Sequence, residues 1–351
     1  MNRKLNIVFT AAILLFAACT KHPINPTPQV PDSSHSYIFF EPEVMETVAT
    51  RNTSTTTKHL SQISSTEAFG VLGYYGTTQL FKPNATSTGI AQVSPADGVY
   101  SYSPLETWRS ATGNHTFYAF FPYSSLVNHV SLETEEGDYE GKPFVAYDID
   151  DNVDVLVDEL TTAKGNGTVT FELAHALYAL DVQVTNAQTT NIYEPDPDAT
   201  TPRDPKLYIT GAKLTLYNLK ESGKIYLDGS VVADNTVTES KEYTLFEATT
   251  DVPRIQIPHT TTDNANVYVF DQILLLPVTN STFSYKLEMT FENAWNVAYP
   301  VTFEGNVPDK TFEAGKRYKL AIKKNDGADF TISADLPVAA WNQVTIPHTF
   351  N

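Results

Sequence analysis

The chain has 351 residues, of which 41% are apolar and 12% aromatic, so it has enough apolar material for a core and is not expected to be disordered as a whole. Its 23 Lys and Arg residues face 41 Asp and Glu residues, and the formal net charge of -18 argues against a nucleic-acid binder, which needs a basic face. A single cysteine excludes a disulfide framework and any metal site built from several cysteines. The length predicts two folded domains of roughly 150 residues each.

The first residues of the chain have the pattern of an export signal. A short basic head precedes a predominantly apolar run over residues 5–18, which is too short for a membrane span of about 20 residues. Cys19 follows where cleavage would fall, as in a bacterial lipoprotein signal, whose cysteine becomes the lipidated first residue. We therefore expect a signal peptide over residues 1–18, lipidation of Cys19, and a proline-rich spacer over residues 19–35. The alternative is an ordinary signal peptide with an incidental buried cysteine.

From residue 37 onwards, the dominant pattern is a period-two alternation, which is typical of half-buried β-strands. Two clear cases place apolar side chains at every second position: Tyr285, Leu287, Met289 and Phe291, and Tyr318, Leu320 and Ile322. Residues 37–40, 117–121 and 273–276 are apolar on both faces and predict central strands that are covered on both sides. Short strands with regular turn signals predict an all-β chain of β-sandwich type.

A glycine-containing segment at residues 161–167 favours a boundary between two domains. We predict an N-terminal β-sandwich over residues 36–162 and a C-terminal β-sandwich over residues 163–351. Within residues 171–184 the apolar positions change parity, which predicts a β-bulge or a crossing between sheets near residues 175–179.

The sequence contains none of the motifs that would indicate catalysis. It lacks a Gly-x-Ser-x-Gly nucleophile elbow, a His-Glu-x-x-His metal motif and a phosphate-binding loop. His175 lies in an apolar, strand-like run, and we interpret it as a core histidine with a hydrogen-bond partner rather than as a ligand. We therefore expect no catalytic residue, no cofactor and no enzymatic activity.

One acidic group partly fits a calcium-binding loop. Asp148, Asp150 and Asn152 stand at positions 1, 3 and 5 of the template, and Glu159 stands at position 12. The glycine that the template needs at position 6 is replaced by Val153. The alternative interpretation is an acidic strand edge that discourages pairing between sheets.

An aromatic group in the first half of the chain raises the possibility of sugar stacking. The residues are Tyr74, Tyr75, Tyr100, Tyr102 and Trp108. Tyrosine and tryptophan fill sandwich cores equally often. A glycan-binding surface lipoprotein is therefore an alternative function.

Several short segments, in a specific order and spacing, resemble the fimbrillin family of Bacteroidales, the subunits of the lipoprotein-derived type V pilus. The resemblance covers nearly the full length and rests on Cys19 and on residues 37–40, 49–51, 69–75, 117–123, 171–177, 273–277, 312–318 and 338–341. It implies two transthyretin-like antiparallel β-sandwich domains in tandem. It also implies export as a lipoprotein to the cell outer membrane, where the subunit forms part of a surface fimbrium.

In polymerising members of that family, a trypsin-like protease cuts after a basic residue just beyond the first strand. The matching residue here is Arg51, and removal of residues 19–51 would take away the apolar strand Tyr37, Ile38, Phe39 and Phe40. Another chain's extended segment can fill the resulting groove by strand addition. The alternative is that Arg51 is an ordinary loop residue.

The resemblance assigns the donor role to the C-terminal tail, which here is residues 330–351. Its apolar side chains are Ile332, Leu336, Val338, Trp341, Val344 and Ile346. The expected partners are other copies or related fimbrial subunits. The alternative is a permanent edge strand of its own domain, because both roles need the same alternation. Stalk, tip and anchor positions all remain open.

Overall fold

The computed structural model describes residues 37–44, 67–81, 89–96, 99–109, 113–163, 168–188, 206–235, 237–259, 268–270, 272–293, 296–325, 330–333 and 342–343. Apart from the four-residue helix α1 (Tyr123–Leu126), the regular secondary structure in these ranges consists of strands, which confirms the all-β prediction. No helix in these ranges is long and apolar enough to cross a membrane.

The strands of the first half follow in chain order: β1 (Phe39–Val44), β2 (Phe69–Tyr75), β3 (Thr78–Gln79), β4 (Ala91–Ala96), β5 (Val99–Ser101), β6 (Asn114–Phe121), β7 (Val130–Leu132), β8 (Pro143–Asp148), β9 (Leu156–Ala163), β10 (Thr168–His175) and β11 (Tyr178–Asn186). The strands of the second half are β12 (Leu207–Lys220), β13 (Ser222–Tyr226), β14 (Val231–Ala233), β15 (Val237–Glu247), β16 (Ile255–Ile257), β17 (Tyr268–Val269), β18 (Ile273–Leu275), β19 (Val278–Asn293), β20 (Ala298–Phe312), β21 (Lys316–Lys324), β22 (Phe330–Ser333) and β23 (Asn342–Gln343).

Four sheets organise these strands. The eight-stranded sheet has the order β1-β10-β9-β6-β2-β4-β5, with β3 paired to β2. The six-stranded sheet has the order β17-β11-β21-β22, with β18 on β11 and β23 on β21. The five-stranded sheet is β15-β12-β19-β20 with β16 on β12, and the four-stranded sheet is β14-β13-β8-β7.

The predicted alternation is confirmed in both of the clearest cases. The odd-numbered apolar residues of β19 from Tyr285 to Phe291 are buried, and so are Tyr318, Leu320 and Ile322 of β21. β10 shows the same pattern, and its side chains Val169, Phe171 and Leu173 are buried in a hydrophobic core. Each of these three strands therefore has one packed face and one more exposed face, as its period-two sequence predicts.

Among the described residues, three strand pairs run parallel, so the sheets are mixed rather than purely antiparallel. They are β1 with β10, β11 with β21, and β21 with β23. Each of the first two pairs joins strands that lie far apart in the sequence, which leaves room for the long crossover that a parallel pair requires.

The prediction of central strands holds for residues 117–121 and is wrong for residues 37–40. β6 lies between β9 and β2, with Phe117, Ala119, Phe120 and Phe121 buried. β1 instead stands at one end of the sheet order and pairs with β10 alone among the strands of its sheet. Its apolar run is explained by aromatic side chains that pack across its face.

The predicted parity switch marks a crossing between two sheets. β10 ends at His175 in the eight-stranded sheet, and β11 begins at Tyr178 in the six-stranded sheet. The linking residues Ala176 and Leu177 are both buried. The crossing near residues 175–179 is therefore confirmed.

Two hydrophobic cores lie among the sheets. The smaller core joins β1, β2, β6 and β10, and the larger core contains β11, β12, β19 and β21. β10 belongs to the eight-stranded sheet although it follows residue 163, and the four-stranded sheet pairs β8 with β13. The boundary between residues 162 and 163 and the tandem transthyretin-like arrangement stay predictions.

Candidate functional site

The segment predicted to be removable, Tyr37, Ile38, Phe39 and Phe40, lies in a groove at the end of the eight-stranded sheet. Ile38 is fully buried and Phe40 is 2% exposed, whereas Tyr37 and Phe39 are half-buried and Glu41 is exposed. The inward side chains are thus those of Ile38 and Phe40, two residues apart, as strand geometry requires. We call this recess the β1 groove.

The side chain of Phe40 is enclosed by four aromatic rings that come from different parts of the chain. Its ring centroid lies 5.3 Å from those of Tyr102 and Phe117 and 5.8 Å from those of Phe81 and Phe171. Three of the four contacts are edge-on or tilted and one is stacked, which are the favourable arrangements for aromatic pairs. We call these four residues the Phe40 cage.

Both backbone polar groups of Ile38 are hydrogen-bonded to residues that follow β5. Its N–H donates to the carbonyl oxygen of Glu106 over 2.9 Å, and its carbonyl oxygen accepts a hydrogen bond from the Tyr102 hydroxyl over 2.9 Å. The Glu106 N–H donates in turn to the Tyr102 oxygen over 3.2 Å. Burial raises the pKa of Tyr102, so the hydroxyl stays protonated and remains a donor.

The strand β10 supplies the other wall of the β1 groove. The parallel ladder pairs Phe39 with Thr168 and continues to Val44 opposite Leu173. β9 pairs with β10 only at Ala174 and His175, so within the described part of the chain β1 is the strand that pairs with residues 168–173. An empty groove would therefore leave most of β10 without a ladder partner.

The aromatic residues considered for sugar stacking belong largely to this core. Tyr102 is 7% exposed and Trp108 is 6% exposed, while Tyr74, Tyr75 and Tyr100 are half-buried. The Trp108 ring lies edge-on to the rings of His115 and Phe117, at 4.8 and 5.9 Å. Tyr102 and Trp108 thus contact protein and do not present a ring face to solvent.

Only part of the predicted donor tail falls within the described residues. Ile332 lies in β22, which pairs antiparallel with β21, and β23 pairs parallel with the same strand. The Phe330 ring packs on Phe291 at a centroid distance of 4.5 Å. Other predicted residues lie outside the described ranges: Cys19, Arg51, Leu336, Val338, Trp341, Val344 and Ile346.

Three residues of the calcium template are bonded to one another or to other parts of the chain. The Asp148 carboxylate accepts from the Asp150 N–H over 2.9 Å, and Asp150 pairs with Lys241. The Asn152 side chain accepts from the Leu274 N–H over 3.2 Å. Glu159 lies in β9, where burial raises its pKa. No cluster of three or more His, Cys, Asp or Glu side chains suited to a metal occurs in the part of the chain that is described.

His175 is a paired histidine at the end of β10, as predicted. Its Nδ1 atom lies 2.9 Å from the Asp154 carboxylate, and its side chain is 7% exposed. This contact ties the crossing between the two sheets to the loop before β9.

A cluster of polar side chains in the four-stranded sheet links β13 to Glu133, the residue that follows β7. The buried Glu133 carboxylate accepts hydrogen bonds from Lys224 Nζ over 2.7 Å, from the Tyr226 hydroxyl over 2.6 Å, and from the N–H groups of Thr134 and Glu135. The Lys224 hydrogen bond is the largest cause that lowers the pKa of Glu133 to about 2.

A second polar pair lies between β11 and β21. The fully buried Asp181 accepts a hydrogen bond from Arg317 Nη2 over 2.7 Å, and the Arg317 side chain is 13% exposed. Burial raises the pKa of Asp181, while the nearby guanidinium opposes that shift. Removal of one partner would therefore leave the other without its counter-charge in a buried site, which is strongly unfavourable.

The sequence did not point to the cage residues Phe81 and Tyr102 as neighbours of Phe40. The alternation in Val99–Ser101 and the following tyrosine predicts an inward Tyr102 but not its target. The Tyr102 hydroxyl bonds a carbonyl 64 positions earlier in the chain, and no local pattern encodes a contact at that separation.

The chain is similar to known proteins both in sequence and in structure. The profile of the fimbrillin-like family matches residues 50–341. A fimbrial protein from Bacteroides vulgatus has a similar structure, with a TM-score of 0.53 and 17% identity over 84% of this chain and 97% of that one.

Two further solved structures match over most of their length. A protein proposed to act in cell adhesion, from Bacteroides ovatus, gives a TM-score of 0.48 and 14% identity over 89% of this chain and 99% of that one. The fimbrial anchor protein Mfa2 from Porphyromonas gingivalis gives a TM-score of 0.33 and 10% identity over 89% of this chain and 98% of that one. A comparison with proteins of curated function finds no significant match.

Proposed function

Because the chain belongs to the fimbrillin-like family, we propose that it is a structural subunit of a cell-surface fimbrium that contributes to adhesion and has no catalytic role. In this proposal the chain is exported as a lipoprotein, carries its lipid on Cys19 and reaches the outer membrane. The observation that carries the assembly step is the burial of Ile38 and Phe40 in the β1 groove.

The proposed assembly begins with proteolysis. A trypsin-like protease hydrolyses the peptide bond between Arg51 and Asn52, and the fragment that contains β1 then leaves the groove. Departure of β1 exposes the Phe40 cage and leaves the edge of β10 unpaired along residues 168–173. Unpaired backbone groups and an open apolar cleft are both unfavourable in water, so the emptied groove favours a new strand.

A tail from another subunit supplies that strand by β-strand addition. The proposed plugging side chains of a tail like this one are Ile332, Leu336, Val338, Trp341, Val344 and Ile346. Residues 330–333 and 342–343 of the tail pair with β21 of their own chain, which supports a tail that emerges from the six-stranded sheet.

Limited trypsin digestion tests this proposal. We expect purified protein starting at residue 20 to be cut early after Arg51, and mass spectrometry of the folded fraction to show loss of residues 20–51. Added extended peptides or related subunits should then be captured, giving higher bands on a gel without denaturant. The double variant Arg51→Gln with Lys58→Gln is the control, because trypsin then has no Lys or Arg to cut after between β1 and β2, and the groove stays filled. Retention of β1 after the cut, or an emptied groove that captures no strand, would contradict strand exchange.

A further inference from the structure

The β1 groove holds its occupant through the parallel ladder with β10, through the inward side chains of Ile38 and Phe40, and through hydrogen bonds to the backbone of Ile38. Resting on the proposed strand exchange, we propose that the groove selects donor strands that run like β1 and carry an aliphatic residue two positions before an aromatic one. A consequence is that a related subunit, rather than a second copy of this chain, supplies the preferred donor.

The side-chain contacts require this pair. Ile38 and Phe40 are the inward residues, whereas the intervening Phe39 is half-buried. Four rings with centroids 5.3 to 5.8 Å away enclose the Phe40 ring, so a small or aliphatic side chain there leaves a void among them. An aromatic ring in that position also keeps the edge-to-face contacts.

Tyr102 fixes the position of the pair along the strand. Its ring is part of the cage around Phe40, and its hydroxyl donates to the carbonyl oxygen of Ile38, two residues earlier. The N–H of the same residue donates to the Glu106 carbonyl, so proline is excluded there. One side chain therefore couples the backbone of the aliphatic position to the ring of the aromatic position.

The donor segment of this chain does not offer that pair. Between Phe330 and Asn351, no Ile, Leu or Val stands two residues before a Phe, Tyr or Trp. Trp341 is preceded at that spacing by Ala339, which is smaller than the isoleucine it would replace. The reverse order occurs at Phe330 and Ile332, but Phe330 packs on Phe291 and its strand pairs with β21.

Peptide binding to processed protein tests the selection. The protein is cut with trypsin, mass spectrometry verifies that residues 20–51 have left, and fluorescence anisotropy measures the binding of a labelled peptide with the sequence of residues 37–44. We expect Phe40→Ala in the peptide to weaken binding about 100-fold, and Phe39→Ala, the matched aromatic control, to change it by less than about fivefold. A peptide with Ile38 and Phe40 exchanged, and one of residues 334–346, should both bind at least about tenfold more weakly than the reference.

Two substitutions in the processed protein, Tyr102→Phe and Tyr74→Phe, test the same contact from the side of the groove. Tyr102→Phe keeps the ring but removes the hydroxyl, and we expect the affinity for the reference peptide to fall about fivefold. Tyr74→Phe should leave the affinity unchanged, because the buried Tyr74 hydroxyl has no hydrogen-bond partner among the described residues and its ring is not part of the Phe40 cage.

The outcomes separate the two proposals. Equal losses for Phe39→Ala and Phe40→Ala, or equal binding by the peptide of residues 334–346, would refute the selection while leaving strand exchange in place. An emptied protein that binds no peptide of any sequence would refute strand exchange itself.

Discussion

Replacement of Phe40 by alanine measures how firmly the groove holds its own strand. The ring is almost fully buried and makes four aromatic contacts, so its loss removes both the apolar burial and the ring pairs. Truncation of a buried phenylalanine costs about 3–5 kcal/mol. At about 1.4 kcal/mol per factor of ten, local opening of β1 should become roughly 140 to 3,700 times more frequent.

Hydrogen exchange at the Ile38 amide reports this opening, because that N–H is hydrogen-bonded only while β1 is in place against Glu106. We expect its exchange to accelerate by at least about 100-fold in the intact Phe40→Ala protein. Phe39→Ala provides the control, since the half-buried Phe39 side chain lies outside the cage. If both variants accelerated exchange equally, the cage would not be what retains β1, and the reasoning would be refuted.

Three further changes have defined outcomes. Gly73→Ala places a Cβ atom 2.5 Å from a cage ring and should lower stability in urea unfolding by about 1–3 kcal/mol, whereas Gly211→Ala, whose nearest contact is 3.8 Å away, should be tolerated. Arg317→Met leaves Asp181 buried without its cation and should lower the free energy of unfolding by about 3–5 kcal/mol. The double variant Asp181→Leu with Arg317→Met should recover part of this lost stability. If it recovered none, the two residues would not act as a buried pair. The pKa of Glu133 is lowered from 4.5 to about 2, so its contribution to stability is complete above pH 4.5 and is lost as the pH falls towards 2. The difference in melting temperature between the wild type and Glu133→Gln should therefore shrink over that interval, and a constant difference would contradict this assignment.

Local periodicity was enough to predict the strands and the crossing between sheets. Alternation places Tyr285 and Leu287 on the buried face of β19, and the change of parity after Phe171 locates the passage from β10 to β11. These features depend only on the two-residue period of a strand, which any window of a few residues contains.

Local periodicity could not predict which strands pair with one another. The doubly apolar run at residues 37–40 was interpreted as a central strand, but β1 stands at an end of the sheet order, and its half-buried positions are Tyr37 and Phe39. Periodicity does not specify whether a strand pairs in parallel or antiparallel fashion, and it cannot identify Tyr102 as the donor to Ile38. Such contacts depend on the closure of long loops, and no local pattern encodes them.

The crossing at Ala176 and Leu177 has a mechanical consequence for a fibre assembled as proposed. Tension that enters through the occupant of the groove passes to β10, continues along the same chain into β11, and reaches β21, to which β22 and β23 are bonded. The β11–β21 pair is parallel, so a pull along the strands loads its evenly spaced hydrogen bonds in shear, all together rather than one after another. The covalent link through Ala176 and Leu177 would thereby transmit force between the two sheets, and so from one subunit to the next.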